Sequence, residues 1–238
     1  MTIVLVHGAW SGAWSWQAAA RLLRRRGFEV YAPTLTGMAE RSHVSAAAVG
    51  LESHIADIAG LLRYEELENV LLVGHSYGGM VITGAADRVP ERIGGLVYLD
   101  AFLPRSGEAL WDIVEPEMAE RQRQLAREHD GGVSVPRPPG MSPPDASDRV
   151  ARLRTPQPAR TLAEKFVSVR KEQTWPRRHY ILCTENAGTF VTVARRVRDD
   201  PAWEYSEFAA AHDVVRTKPQ LTADRLSEIA ERWGIIDR

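Results

Sequence analysis

Short aliphatic runs recur along this chain, separated by stretches of helical spacing, and that rhythm restricts the fold more than any other feature. TIVLVHG (2–8), FEVYAPTL (28–35), NVLLVGHS (69–76) and IGGLVYLDAF (93–102) are nearly unbroken apolar segments. A strand with one wet face alternates apolar and polar residues. A strand that is apolar throughout needs cover on both faces, as in a parallel sheet. Between these runs lie SWQAAARLLRRRG (15–27), which stops at a glycine, and LESHIADIAGLLRYEEL (51–67), with Ile55, Ile58, Leu61 and Leu62 on one helical face. A small-residue helix, YGGMVITGAADRV (77–89), follows the third run. The rhythm returns in RHYILCTE (178–185), a helix near 190–197, a strand near 203–208 and a closing helix over 219–234. The expected architecture is α/β: a mostly parallel, doubly wound sheet with right-handed crossovers.

The rhythm breaks between residues 103 and 176. EMAERQRQLAREH (117–129) reads as a charged helix, and a proline- and glycine-rich stretch follows it. A compact domain rarely keeps so long a structureless loop, so this segment is expected to be a helical cap over the carboxyl edge of the sheet. No internal repeat divides the chain, and residues 1–238 are expected to form a single domain with the cap inserted at about 103–176.

Composition narrows the function classes. A formal net charge of −1 supplies no field to attract nucleic acid or a membrane surface. Neither is an expected partner; a small-molecule substrate is, and a homodimer is compatible with the sequence. The single cysteine, Cys183, excludes an internal disulfide and fits a reducing, cytoplasmic compartment. Apolar MTIVLVHGAW lacks a basic leader and reads as a core strand. No histidine has a partner at metal-ligand spacing, so neither a metal nor another cofactor is expected.

Gly74-His75-Ser76-Tyr77-Gly78 fits G-x-S-x-G, and it follows an apolar strand and opens a helix. That strand–turn–helix setting lifts the serine above the sheet on a sharp turn with small neighbours, here Gly74, Gly78 and Gly79. Ser76 is the candidate nucleophile. His7-Gly8-Ala9-Trp10 closes the first strand, where a loop can offer one amide to a developing oxyanion. The backbone N–H groups of Ala9 and Tyr77 are the candidate donors. His212, in Ala211-His212-Asp213 between the last strand and the closing helix, is placed to return to Ser76 as general base. Trp10 and Phe102 are the candidate pocket walls.

VLVHGAWSGAWSW, PTLTGMAERSH, LLVGHSYGGMVITGAADRVPERI, LVYLDAFLP and AHDVVRTKP together resemble the EstC-type bacterial esterases of the α/β-hydrolase fold, relatives of plant methyl esterases and hydroxynitrile lyases. The resemblance implies nucleophile Ser76, base His212, a cap over the pocket and cleavage of small esters, often with an apolar or aromatic acyl part. The lyase branch instead implies a proton relay through the same pair.

One position departs from that pattern. The resemblance implies an aspartate after Cys183-Thr184-Glu185, and Asn186 stands there. An amide accepts a hydrogen bond but cannot stabilise an imidazolium by charge, and Asp-to-Asn at such a seat in a serine protease costs roughly 10⁴ in turnover. Asp100, at the end of the strand beside the nucleophile strand, is the provisional acid. Glu185 is a second candidate, on the unfavourable side of a one-residue offset. With neither, the same Ser/His pair suits a lyase or cyclase of specialised metabolism, or the cleft persists in a catalytically silent ligand-binding relative. The leading expectation is a serine hydrolase acting on a small apolar ester or lactone.

Overall fold

The structure, a computed structural model, describes residues 1–139, 148–170, 175–185 and 188–235. Asn186 and parts of the proline-rich stretch therefore lie outside the described residues. In chain order the strands are β1 (Thr2–Val6), β2 (Glu29–Tyr31), β3 (Val70–Ser76), β4 (Ile93–Ala101), β5 (Ser134–Val135), β6 (Gln157–Pro158), β7 (Arg177–Glu185) and β8 (Glu204–Ala211). The α-helices are α1 (Gln17–Arg25), α2 (Leu51–Tyr64), α3 (Gly78–Arg88), α4 (Leu110–Ile113), α5 (Pro116–Asp130), α6 (Asp148–Leu153), α7 (Ala159–Ala163), α8 (Thr189–Ala194), α9 (Val214–Thr217) and α10 (Pro219–Arg232).

Six strands form a parallel sheet in the order β2-β1-β3-β4-β7-β8. Alternate residues of a strand face opposite sides, and the core divides accordingly. Ile3, Leu5, Leu71 and Val73 pack with α1 and α10, while Val4, Val6, Val70 and Leu72 pack with α2 and α3. Both faces are sealed, which explains why these strands read as continuous apolar runs.

Three boundaries differ from the sequence reading. The second strand ends at Tyr31 rather than running to residue 35, because it is the sheet edge and Pro33 has no N–H to extend the ladder. The first helix opens with a 3-10 turn over Ala13–Trp16 before α1 begins. The last strand runs on to Ala211, which delivers His212 directly at the strand end.

Between β4 and β7 the described residues hold α4 to α7 and the antiparallel pair β5–β6. This insert is tied to the sheet's carboxyl edge. Gln157 Oε1 accepts from the Trp10 backbone N–H at 3.1 Å, and the Trp10 indole N–H donates to the Val135 carbonyl at 2.8 Å. No helix of the described residues is long and apolar enough to cross a membrane.

Candidate active site

β3 ends on Ser76 with φ 55°, in the left-handed region that costs an L-residue roughly 1–2 kcal/mol. The strain is maintained by packing in which only glycine fits. A Cβ on Gly79 would lie 2.0 Å from the Phe102 carbonyl oxygen, and one on Gly8 would lie 2.9 Å from the Ser76 Cβ. The second distance also fixes the loop after β1: its backbone passes against Ser76, and the Ala9 amide is the next donor along it. Ala9, Trp10 and Phe102 line the same cavity as Ser76.

His212 Nε2 lies 3.0 Å from Ser76 Oγ, and Nδ1 lies 2.6 Å from Asp100 Oδ2. A carboxylate only accepts, so Nδ1–H donates to Asp100 and Nε2 is left to accept the Ser76 proton. Asp100 is fully buried, and its other oxygen, Oδ1, accepts from the Cys183 backbone N–H at 3.0 Å.

A β-bulge puts Asp100 there. His75 pairs with Leu99 and Ser76 pairs with Ala101, which leaves Asp100 as the extra residue of β4, with φ 44°. A bulge re-aims the side chain of its extra residue; this one turns a strand-end aspartate toward the β8 loop.

Glu185 takes no part in this chain. Its half-exposed carboxylate sits 3.6 Å from Lys218 Nζ. Of the acids weighed for His212, only Asp100 is in contact with it.

Sequence reading passed over the groups that hold the imidazole. His75 Nε2–H donates to the His212 carbonyl at 2.8 Å, and the two rings lie 4.7 Å apart. Burial pushes the pKa of His75 well below the ordinary histidine value, the charge of His212 adding to the effect, so His75 is a neutral donor. Phe190, from α8, stacks on His212 with centroids 4.6 Å apart and planes 13° apart. Nothing in the sequence around His75 marks it as a partner of the His212 loop, and nothing local in FVTVARRV marks Phe190.

Two further histidines have structural duties. His7 Nδ1–H donates to the Gly8 carbonyl at 2.8 Å, and its Nε2 accepts from the Leu35 N–H at 3.1 Å. His54 Nε2–H donates to the Thr36 carbonyl, so Nδ1 accepts from the Tyr77 hydroxyl, each at 2.8 Å. Burial lowers both pKa values to about 4. The site is thus braced beneath the turn by neutral imidazoles, while His212 alone meets both serine and acid.

A cavity of about 560 Å³ opens above Ser76 and His212. Phe102, Leu110, Leu162 and Phe190 give it apolar walls, and Arg137 and Arg154 from the insert also face it. The arginines were not anticipated from sequence.

The sequence profile described as the alpha/beta hydrolase family matches residues 3–225. The chain is 37% identical over 237 residues to a carbendazim hydrolyzing esterase of Nocardioides sp. (strain SG-4G), covering 95% of this chain and 98% of that protein. It is 35% identical over 112 residues to methylesterase 2 of Arabidopsis thaliana, covering 42% of this chain and 39% of that one. Among solved structures, an extracellular alpha/beta-hydrolase from a Paenibacillus species superposes with a TM-score of 0.82 at 25% identity. The match covers 96% of this chain and 98% of that one, and the Paenibacillus protein is described as sharing structural and functional homology with tobacco salicylic acid binding protein 2. A match along nearly the whole length, over a sheet of the same architecture, settles the assignment: the chain belongs to the alpha/beta hydrolase family and is a hydrolase with esterase relatives.

Proposed function

We propose that this chain is a serine esterase that cleaves a small ester through an acyl-enzyme on Ser76. The observation that carries the reading is the unbroken relay Ser76 Oγ–His212 Nε2–His212 Nδ1–Asp100 Oδ2, at 3.0 and 2.6 Å. Ser76 Oγ attacks the carbonyl carbon as its proton passes to His212 Nε2. The oxyanion is held by the Ala9 and Tyr77 amides. His212 then gives the proton to the departing alkoxide, leaving an acyl-enzyme. Water repeats the sequence in reverse and releases the acid. Asp100 holds the reactive tautomer and offsets the imidazolium charge.

The insert serves as the cap, and the apolar walls suit an acyl part with hydrophobic surface, on a linear ester or a lactone. The lyase or cyclase alternative drew its motive from a missing acid; Asp100 in contact with His212 favours hydrolysis over it. Esterase activity on neighbours such as the Nocardioides protein supports the same choice. The test is turnover of p-nitrophenyl acyl esters together with labelling by a fluorophosphonate probe. The wild type should turn over and label, and Ser76→Ala should do neither. Equal turnover by the two would end this reading.

A further inference from the structure

Arg154 is poorly provided for by its own protein. It follows α6 in the insert, its side chain is only 16% exposed, and it lies 5.9 Å above the Trp14 ring. Its ion pair with Asp213 is long, 3.7 Å from Nη2, and Asp213 is already engaged by Arg216 Nε at 2.8 Å. Nε of Arg154 is buried without a hydrogen-bond partner among the described residues. A guanidinium has five donors, and withdrawing it from water without acceptors is costly. Yet this one faces the cavity that contains Ser76.

Arg137 faces the same cavity. Burial and the nearby charge of Arg154 lower the Arg137 pKa to about 10, so the two cations oppose each other. Glu185 also lines the cavity but faces Lys218. Asp213 lines it too, but each of these acids already faces another cation, Arg216 or Lys218, so an anion entering the pocket would meet in Arg154 a guanidinium with a donor still unsatisfied. A carboxylate matches the planar guanidinium fork with two parallel hydrogen bonds.

The geometry points to an anion subsite within the pocket: Arg154, with Arg137 beside it, holds a carboxylate carried by the substrate away from the scissile ester. Resting on the serine-esterase reading, this names the substrate class as half-esters of dicarboxylic acids, with the apolar walls around the connecting chain.

The test compares monomethyl glutarate, adipate and pimelate with methyl valerate, hexanoate and heptanoate, measuring methanol release. Wild-type kcat/KM should favour a half-ester over its neutral counterpart, and added salt should shrink the preference. Arg154→Met should lower the ratio of the two kcat/KM values by about tenfold to a hundredfold, the scale of a charge-assisted hydrogen bond. Arg137→Met should lower it less, and Arg154→Lys should restore part of it. A purely structural arginine would depress both esters together and leave the ratio unmoved. A wild-type ratio at or below one, or a ratio unchanged in both methionine variants, overturns the subsite. Calorimetric binding of adipate decides the matter independently of turnover: about tenfold weaker binding to Arg154→Met supports the subsite, and equal binding rejects it. Absent turnover and absent Ser76 labelling would count against the esterase reading, while neutral-ester turnover without a carboxylate preference would count against the subsite alone.

Discussion

At the end of β4, Asp100 is fully buried, displaced from the ladder by a bulge, and bonded through both oxygens to His212 and the Cys183 amide. At the end of β7, Glu185 is half exposed and faces a lysine across 3.6 Å. Both carboxylates belong to neighbouring strands of one sheet. What separates them is the number of fixed donors aimed at each and the water excluded around it. A charge supports a base when it is both dry and satisfied; nearness in sequence to an expected seat supplies neither.

The most severe way to break the contrast is Asp100→Asn. The amide oxygen can still accept from the Cys183 N–H, but the charge facing His212 Nδ1 disappears. Turnover of p-nitrophenyl esters should fall by roughly 10⁴ in kcat, with an unchanged circular-dichroism spectrum. A loss under tenfold would move the acid elsewhere.

Acid bears on the sheet at several buried histidines. His7 and His54 beside the elbow, and His179 on β7, have folded pKa values lowered by burial to about 4. The unfolded chain protonates them near 6.5, so their contribution to stability is complete above that pH and is lost as pH falls toward 4. The loss is on the order of 3 kcal/mol for each. Urea melts at pH 7 and pH 5 should show it, with a flatter pH slope in His54→Gln and in His179→Gln. Comparing those two slopes separates the contribution of the elbow from that of the amino end of β7.

The β7 side does contribute to the base, but through hydrophobic contact. Phe190→Ala removes the ring stacked on His212 and should lower kcat by roughly tenfold, because a base that wanders loses alignment. Phe190→Leu should recover part of that loss in the same kinetic assay.

The smallest effects belong to the rival seat. Glu185→Gln gives up an exposed pair worth about 0–1 kcal/mol and should change kcat less than about twofold. Asn186→Asp should likewise raise esterase kcat by no more than about twofold, because an acid already serves. A gain of tenfold or more there would show that Asp100 supports His212 only weakly.

Ser76 and His212 were readable in the sequence because their signals are local or ordinal. A glycine-bracketed serine between an apolar run and a helix needs no knowledge of distant pairing, and a histidine after the last strand needs only chain order. The sheet was equally readable, since two-sided burial leaves unbroken apolar strands. Asp100 could be named but not selected. LVYLDAF does not reveal a bulge, which exists only through the pairing of Ser76 with Ala101. Phe190, His75 and Arg154 meet the loop after β8, and no period in the sequence records such contacts. The early end of β2 follows from its edge position, which is a property of the whole sheet.

The two hydrogen bonds from Trp10 to the insert have a consequence for engineering. The amide preceding the indole-bearing residue is a proposed oxyanion donor, and the insert grips that residue at both its main chain and its ring. A chimaera that grafted another relative's insert onto this sheet would therefore change more than the shape of the binding space. Unless it brought acceptors to the places of Gln157 and Val135, it would slacken the loop beneath the reacting carbonyl. Specificity and rate would then shift together.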